Sequence, residues 1–144
     1  MNQPVIPHSE GTLGVVELRI PSKAEWVAVA RLAVAAVANR LNFSIEDIED
    51  VKLAVAEACT NCIQHAEGSD QIQITCETGP EGLTVRVRDF GRGTRPEGIK
   101  SRDVDEPRVG GLGVFLIRSL MDNVEYDVHP ESGTNLVMTK KVAR

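Results

Sequence analysis

The chain has 144 residues, of which 16 are Lys or Arg and 21 are Asp or Glu, a formal net charge of −5. One domain of this size buries most of its apolar surface, and it is too short for a receptor with a separate sensor or for a two-lobed kinase. An acidic chain with a pI near 5.2 and 3% aromatic residues is a poor nucleic-acid binder, lacking both the basic surface and the stacking rings. Any phosphate ligand must therefore be held by backbone N–H groups, a metal ion or a few local cations. The hydrophobic fraction of 42% fits a folded domain.

Residues Met1–Gly11 are polar and contain prolines, without the basic-then-apolar pattern of a signal peptide, and are expected to be a flexible lead-in to a domain over residues 12–144. The longest apolar run, Trp26–Ala38, is interrupted by Arg31 and falls short of the about 18 residues that span a membrane. Three cysteines, an odd number, argue against a disulfide framework and for a cytoplasmic protein with reduced thiols.

Leu13–Ile20 alternates as a strand and Pro21 ends it. Ser22 and Glu25 have capping-box spacing before an Ala- and Val-rich helix reaching about Leu41. Ser44 and Asp47 suggest a second cap, opening a helix from Ile45 to Ala66. Gln71–Thr78 and Leu83–Asp89 alternate about Gly79–Gly82 as a hairpin. Phe90–Val109 reads as a long loop, and loops of that length in a small domain are usually functional or disordered. A third helix follows from Gly111 to about Met121, and Val124–His129 and Thr134–Val142 make a second hairpin. Strands and helices are thus segregated, and the expected fold is an α+β two-layer sandwich: a mixed, mostly antiparallel sheet with three helices on one face.

Chemistry-bearing residues fall into three groups. Glu57 and Asn61 lie one turn apart in a run of small apolar residues, with His65 extending the same face. Such a face is either the solvated side of the helix or a site, since a carboxylate buried against Ala and Val is costly unless paired or used. Asp89-Phe-Gly91-Arg-Gly93 ends the first hairpin with glycines that let a backbone close on a ligand. Gly110, Gly111 and Gly113 open the third helix, where free N–H groups and the helix dipole favour an anion. Arg102 and Arg108 lie just upstream. Asp89-Phe-Gly91 has no catalytic-loop partner of the eukaryotic kinase kind, and Ile99 splits the Gly98–Lys100 that a P-loop needs adjacent. Cys59, Cys62, His65 and Cys76 lack the paired spacing of a zinc site, and buried thiols are expected.

In this order the three groups resemble the N box and the two glycine boxes of the superfamily of gyrase, the heat-shock chaperone ATPase, histidine kinases and MutL. Gly133-Thr134 resembles its closing Gly-Thr. The short form, starting with a strand and two helices, is similar to the bacterial anti-sigma-factor serine kinases of partner-switching systems, over about Leu13 to Lys141. The resemblance implies a Bergerat-type ATP-binding fold, with Mg²⁺ and ATP as cofactors. Asn61 would hold the Mg²⁺, and Glu57 would be the general base toward a substrate serine. Asp89 would accept from the adenine amine. Gly91 and Gly93 would close on the base; Gly110, Gly111 and Gly113 would cradle the phosphates; Thr134 would hold the base or a phosphate. It further implies a homodimer that phosphorylates an anti-sigma-factor antagonist and binds a sigma factor, with no direct nucleic-acid or membrane contact. Two other readings carry the same boxes: a nucleotide-gated module that sequesters its partner without phosphorylating it, and a switch kinase of a stressosome-like complex. The second glycine box departs from the relatives' pattern, with Arg108 one residue further from the matching glycines. With few aromatics, the adenine pocket is expected to have aliphatic walls and Asp89 as its reader.

Overall fold

The computed structural model describes residues 14–65, 68–91, 111–129 and 133–142. In chain order it holds β1 (Gly14–Pro21), α1 (Val27–Ala38), α2 (Ile45–His65), β2 (Gln71–Gly79), β3 (Gly82–Asp89), α3 (Gly111–Leu120), β4 (Asn123–His129) and β5 (Gly133–Lys141). The flexible lead-in expected at the N-terminus lies outside the described residues.

The five strands form one sheet in the order β1-β2-β3-β5-β4, and all four pairings are antiparallel. The sheet is therefore antiparallel throughout the described residues rather than mixed. Period-two alternation sends one side chain of each pair to a buried face. Ile72, Ile74 and Cys76 of β2, Leu83, Val85 and Val87 of β3, and Leu136 and Met138 of β5 cover that face. The registers Ile74↔Val87 and Val87↔Leu136 align them in rows across the strands. The opposite face carries Arg19, Gln73, Arg86 and Arg88 and is polar, as an antiparallel sheet with one wet side allows.

α2 packs between α1 and α3, over the apolar sheet face. Ala30, Val34 and Ala38 of α1 meet Val51, Ala54, Val55 and Ala58 of α2 in the core, where the small side chains let the helix axes come close. The N-terminus of α2 is capped reciprocally as expected. The Asp47 N–H donates to Ser44 Oγ at 3.0 Å and the Ser44 N–H to Asp47 Oδ2 at 3.2 Å. A cap of this kind contributes about 1 kcal/mol.

The capping box expected at Ser22 and Glu25 does not form. The Ser22 N–H is committed to the Asp70 carbonyl at 2.9 Å, Lys23 takes the cap position without a side-chain bond, and Ala24–Trp26 makes a 3-10 turn before α1 begins. α1 also stops short of Leu41. The N–H groups of Arg40 and Leu41 bond three residues back, to Val37 and Ala38, which tightens the end into a turn. The other elements agree with the expected bounds to within a residue or two.

Candidate nucleotide and phosphoryl-transfer site

The face of α2 that carries Glu57 and Asn61 is not a solvent face. Asn61 is 8% exposed and Glu57 is half-buried, because α3 lies across them. The contact is made at Gly113. A methyl group on its Cα would stand 2.5 Å from Glu57 Oε2, 3.1 Å from Asn61 Oδ1 and 3.2 Å from Asn61 Nδ2. No real Cβ tolerates the first of these distances, and what it would meet are the ends of two side chains, so any other residue here would push Glu57 and Asn61 aside. The N box and second glycine box, about fifty residues apart in sequence, thus meet at one place.

Asp89 ends β3 on the buried face, 5% exposed. Its Oδ1 accepts the N–H of Gly91 and the N–H of Thr134, each at 3.2 Å. Thr134 is placed for this by Gly133, which has φ +112° and passes against the Asp89 carbonyl, where a side chain would collide. The Cys62 thiol of α2 lines the same recess as the carboxylate. Burial raises the Asp89 carboxyl above its ordinary value, and the N–H donors of Thr134 and Gly91, the Cys62 thiol and the Arg88 charge oppose that rise. The next residue, Phe90, turns to the polar side of the sheet. Its ring lies under the guanidinium of Arg88 at 4.9 Å and of Arg19 at 5.6 Å, and its N–H donates to Ser69 Oγ at 3.1 Å. Asp89 is therefore anchored from both faces.

Asn61, Cys62, His65, Val87, Asp89, Tyr126, Thr134 and Leu136 line a recess of about 30 Å³. That is room for a water or two, so with the side chains as they stand it admits the edge of a base, not a whole base. Val87 and Leu136 give this recess aliphatic walls, and Tyr126 and His65 stand beside them. Tyr126 arrives through the strand order, since β5 lies between β3 and β4 and the register Tyr126↔Leu136 continues the row from Val87. Its ring is partly exposed while its hydroxyl is pushed up to about 12, chiefly by burial, with Cys62 and the Asp89 carboxyl nearby. Burial holds Cys59 at about 12, Cys76 at about 11 and Cys62 well above the usual thiol range, so all three are protonated thiols at neutral pH.

The structure thus gathers Glu57, Asn61 and Gly113 at one point, and Asn61, Asp89 and Thr134 around one recess. Gly91 contributes its N–H to Asp89, and Gly111 is the first residue of α3. Gly93, Gly110, Arg102 and Arg108 lie outside the described residues. Sequence reasoning put His65 on the face of Glu57 and Asn61 without giving it a role, and missed Cys62 and Tyr126 as wall residues. The only signal for Cys62 was its position beside Asn61 on α2; for Tyr126 there was none without the strand order.

Residues 20–140 match the family model of the histidine kinase-like ATPase domain. Curated relatives named serine-protein kinase RsbW, from Bacillus mycoides and Bacillus cereus, are 40% identical to this chain over 139 residues, covering 90% of it and 86% of their own length. A crystal structure of the RsbU and RsbW domains of a Mycobacterium tuberculosis protein superposes with a TM-score of 0.68 at 14% identity, over 91% of this chain and 32% of that one. The histidine kinase domain of a blue-light activated histidine kinase from Erythrobacter litoralis gives a TM-score of 0.53 at 23% identity, over 85% of this chain and 62% of that one. Both structures share the fold. No helix among the described residues is long and apolar enough to cross a membrane.

Proposed function

The chain belongs to the histidine kinase-like ATPase domain family, and from that premise we propose that it is an ATP-dependent protein serine kinase acting as an anti-sigma factor in a partner-switching system. Its substrate is a serine of an anti-sigma-factor antagonist, and its other partner is a sigma factor. The observation that carries this reading is the contact of Gly113 with Glu57 and Asn61, which sets a carboxylate, an amide oxygen and a helix N-terminus together. A pure binding module has no need of the carboxylate.

The residues present fit a Mg·ATP complex. Asn61 supplies a buried amide oxygen, a hard ligand of the kind Mg²⁺ takes. The ion, when bound, neutralises charge on the phosphate oxygens. The N-terminus of α3 would turn backbone N–H groups and the positive end of its dipole toward those same oxygens. Asp89 retains acceptors for the exocyclic amine: a carboxylate has about four lone-pair sites, and the N–H groups of Gly91 and Thr134 occupy two, both on Oδ1. Glu57 takes the proton of the substrate serine hydroxyl as its oxygen bonds to the γ-phosphorus and the bond to ADP breaks. Backbone dipoles and one cation are enough for this in a chain whose net charge is −5.

In this reading residues 12–144 act as one cytoplasmic ATPase domain, and the protein is a homodimer. Trp26, just before α1, and Val29 and Leu32 on it leave an exposed apolar stripe at helical spacing, on the same side of the sheet as the exposed Val16 of the edge strand β1, a surface suited to a second copy. Light scattering of the purified chain measures the state directly. The kinase reading is tested by incubating the protein with γ-labelled ATP and the antagonist encoded beside it. Label is expected on the antagonist, with Glu57→Ala abolishing transfer while sparing most ATP affinity. Intact nucleotide binding with no transfer in the unaltered protein would sink it.

A further inference from the structure

The row of side chains that crosses the sheet through Ile74, Val87 and Leu136 ends at Tyr126, on the edge strand β4. Tyr126 therefore stands on the helix side of the sheet and closes the recess that Asn61, Asp89 and Thr134 share. That recess has room for a water or two, about 30 Å³, and not for a purine, so some part of its wall must give when a base enters. Six of the eight lining residues are at most 9% exposed and belong to the packed parts of α2, β3 and β5. The other two are His65, the last residue of α2, and Tyr126, which is 46% exposed. Tyr126 is the larger of the two. Among the described residues no strand pairs with the far side of β4, so the ring has room to turn outward.

We propose that Tyr126 is a specificity-determining residue of the base pocket: its ring turns aside to admit the base, packs against it and limits how large a base can enter. This rests on the reading of the recess as the adenine end of the nucleotide site, with Asp89 accepting from the exocyclic amine. Tyr126 and Asp89 line the same small recess, so a bulky group on that amine is carried into the space the ring holds. The N–H left on such an amine still donates to Asp89. Size and hydrogen bonding are thus read by two different residues, and a substitution separates them.

Calorimetry on the intact chain compares Mg·ATP with Mg·N6-benzyl-ATP, which keeps one N–H on the amine and adds a ring beside it. The unaltered protein is expected to bind the benzyl compound at least about tenfold more weakly, the scale of an overpacked site. Tyr126→Ala is expected to weaken ATP about five- to fiftyfold, the scale of one lost stacking contact, and to bind the benzyl compound at least as well as ATP. His65→Ala is expected to keep the discrimination. A Tyr126→Ala variant that weakens both nucleotides equally marks a merely structural role and overturns the proposal. So does an unaltered protein that accepts both alike, or a His65→Ala variant that loses the discrimination. Tyr126 is the only tyrosine of the chain, so its ring resonances in tyrosine-labelled protein give a measurement that needs no variant. They are expected to shift with saturating Mg·ATP and to stay in place with Mg·tripolyphosphate; no shift with ATP, or the same shift with both, overturns the proposal. Asp89→Asn tests the underlying reading separately. If it removes the preference for ATP over the triphosphate of purine riboside, which lacks the amine, the adenine reading stands whatever Tyr126 does; if the preference survives, both fall.

Discussion

Gly113, in the first turn of α3, lies so close to Glu57 that a methyl group on its Cα would stand 2.5 Å from the carboxylate oxygen Oε2. A side chain at this position would therefore displace the proposed base from the place it holds beside α3. Gly113→Ala gains helix propensity of about 1 kcal/mol but forces Glu57 and Asn61 aside. The expected outcome is a small change in melting temperature with a loss of phosphoryl transfer of about ten- to a hundredfold, the scale of a misplacement near 1 Å. Thermal melts and transfer assays on the same preparation check it. A large loss of stability with full specific activity in the folded fraction would contradict it.

The Glu57–Asn61 pair, Asp89 and Thr134 were legible in the sequence because each sits in a short motif whose order along the chain is itself informative. Their burial was not. Glu57 and Asn61 occupy a helix face that periodicity alone reads equally well as solvated, and only the packing of α3 covers it. Tyr126 escaped for a different reason. A strand's alternation shows which residues share a face, but not which strand lies beside it, and Tyr126 reaches the recess only because β5 separates β3 from β4. The failed capping box at Ser22 has a third cause: its backbone N–H is taken by Asp70, some fifty residues on, a contact that local spacing does not reveal.

If Asp89 accepts from the base as proposed, stability and nucleotide affinity should respond to pH with opposite signs. Burial, the largest effect, raises its folded-state pKa above the ordinary 3.8. A carboxyl whose folded value is raised contributes stability that is fully present below the unfolded pKa and is lost as pH rises through the folded one. Relative to Asp89→Asn, the unliganded protein should therefore gain stability as pH falls from neutral to about 4. Over the same range ATP affinity should weaken, because the protonated carboxyl gives up an acceptor. Urea denaturation and calorimetry across that range, each taken as the difference from the Asp89→Asn variant, measure both slopes. Parallel slopes would show that Asp89 does not accept from the base.

Gly133 stands at φ +112° with its Cα against the Asp89 carbonyl, so it is the joint that brings the Thr134 N–H onto Asp89. Gly133→Ala has both a strained backbone and a collision to relieve. A destabilisation of about 1–3 kcal/mol is expected from the conformation alone, read as a shift in the urea midpoint. ATP affinity should fall with it, since β5 must move away from β3 at the very residue that supports the reader. Saturating ATP should then return less stability to the variant than to the unaltered protein.

Lys140 connects β5 to both helices that form the site. Its Nζ donates to the Leu120 carbonyl at the end of α3 at 2.6 Å and pairs with Asp50 at 3.4 Å and Asp47 at 4.0 Å near the start of α2. The side chain is only 12% exposed, so these contacts are less screened than a surface pair would be. A cation near a helix C-terminus also meets the negative end of its dipole. Lys140→Met keeps the aliphatic stem and removes the donor, leaving the carbonyl and two carboxylates without it. The expected cost is about 1–3 kcal/mol in urea denaturation, against less than about 0.5 kcal/mol for Lys141→Met, whose side chain is exposed. Because α3 carries Gly113 at its other end, the loosened helix should also hold Glu57 less well. Transfer by the folded Lys140→Met protein is therefore expected to fall, and an unchanged rate would show that α3 is held by its apolar face, through Ile117, alone.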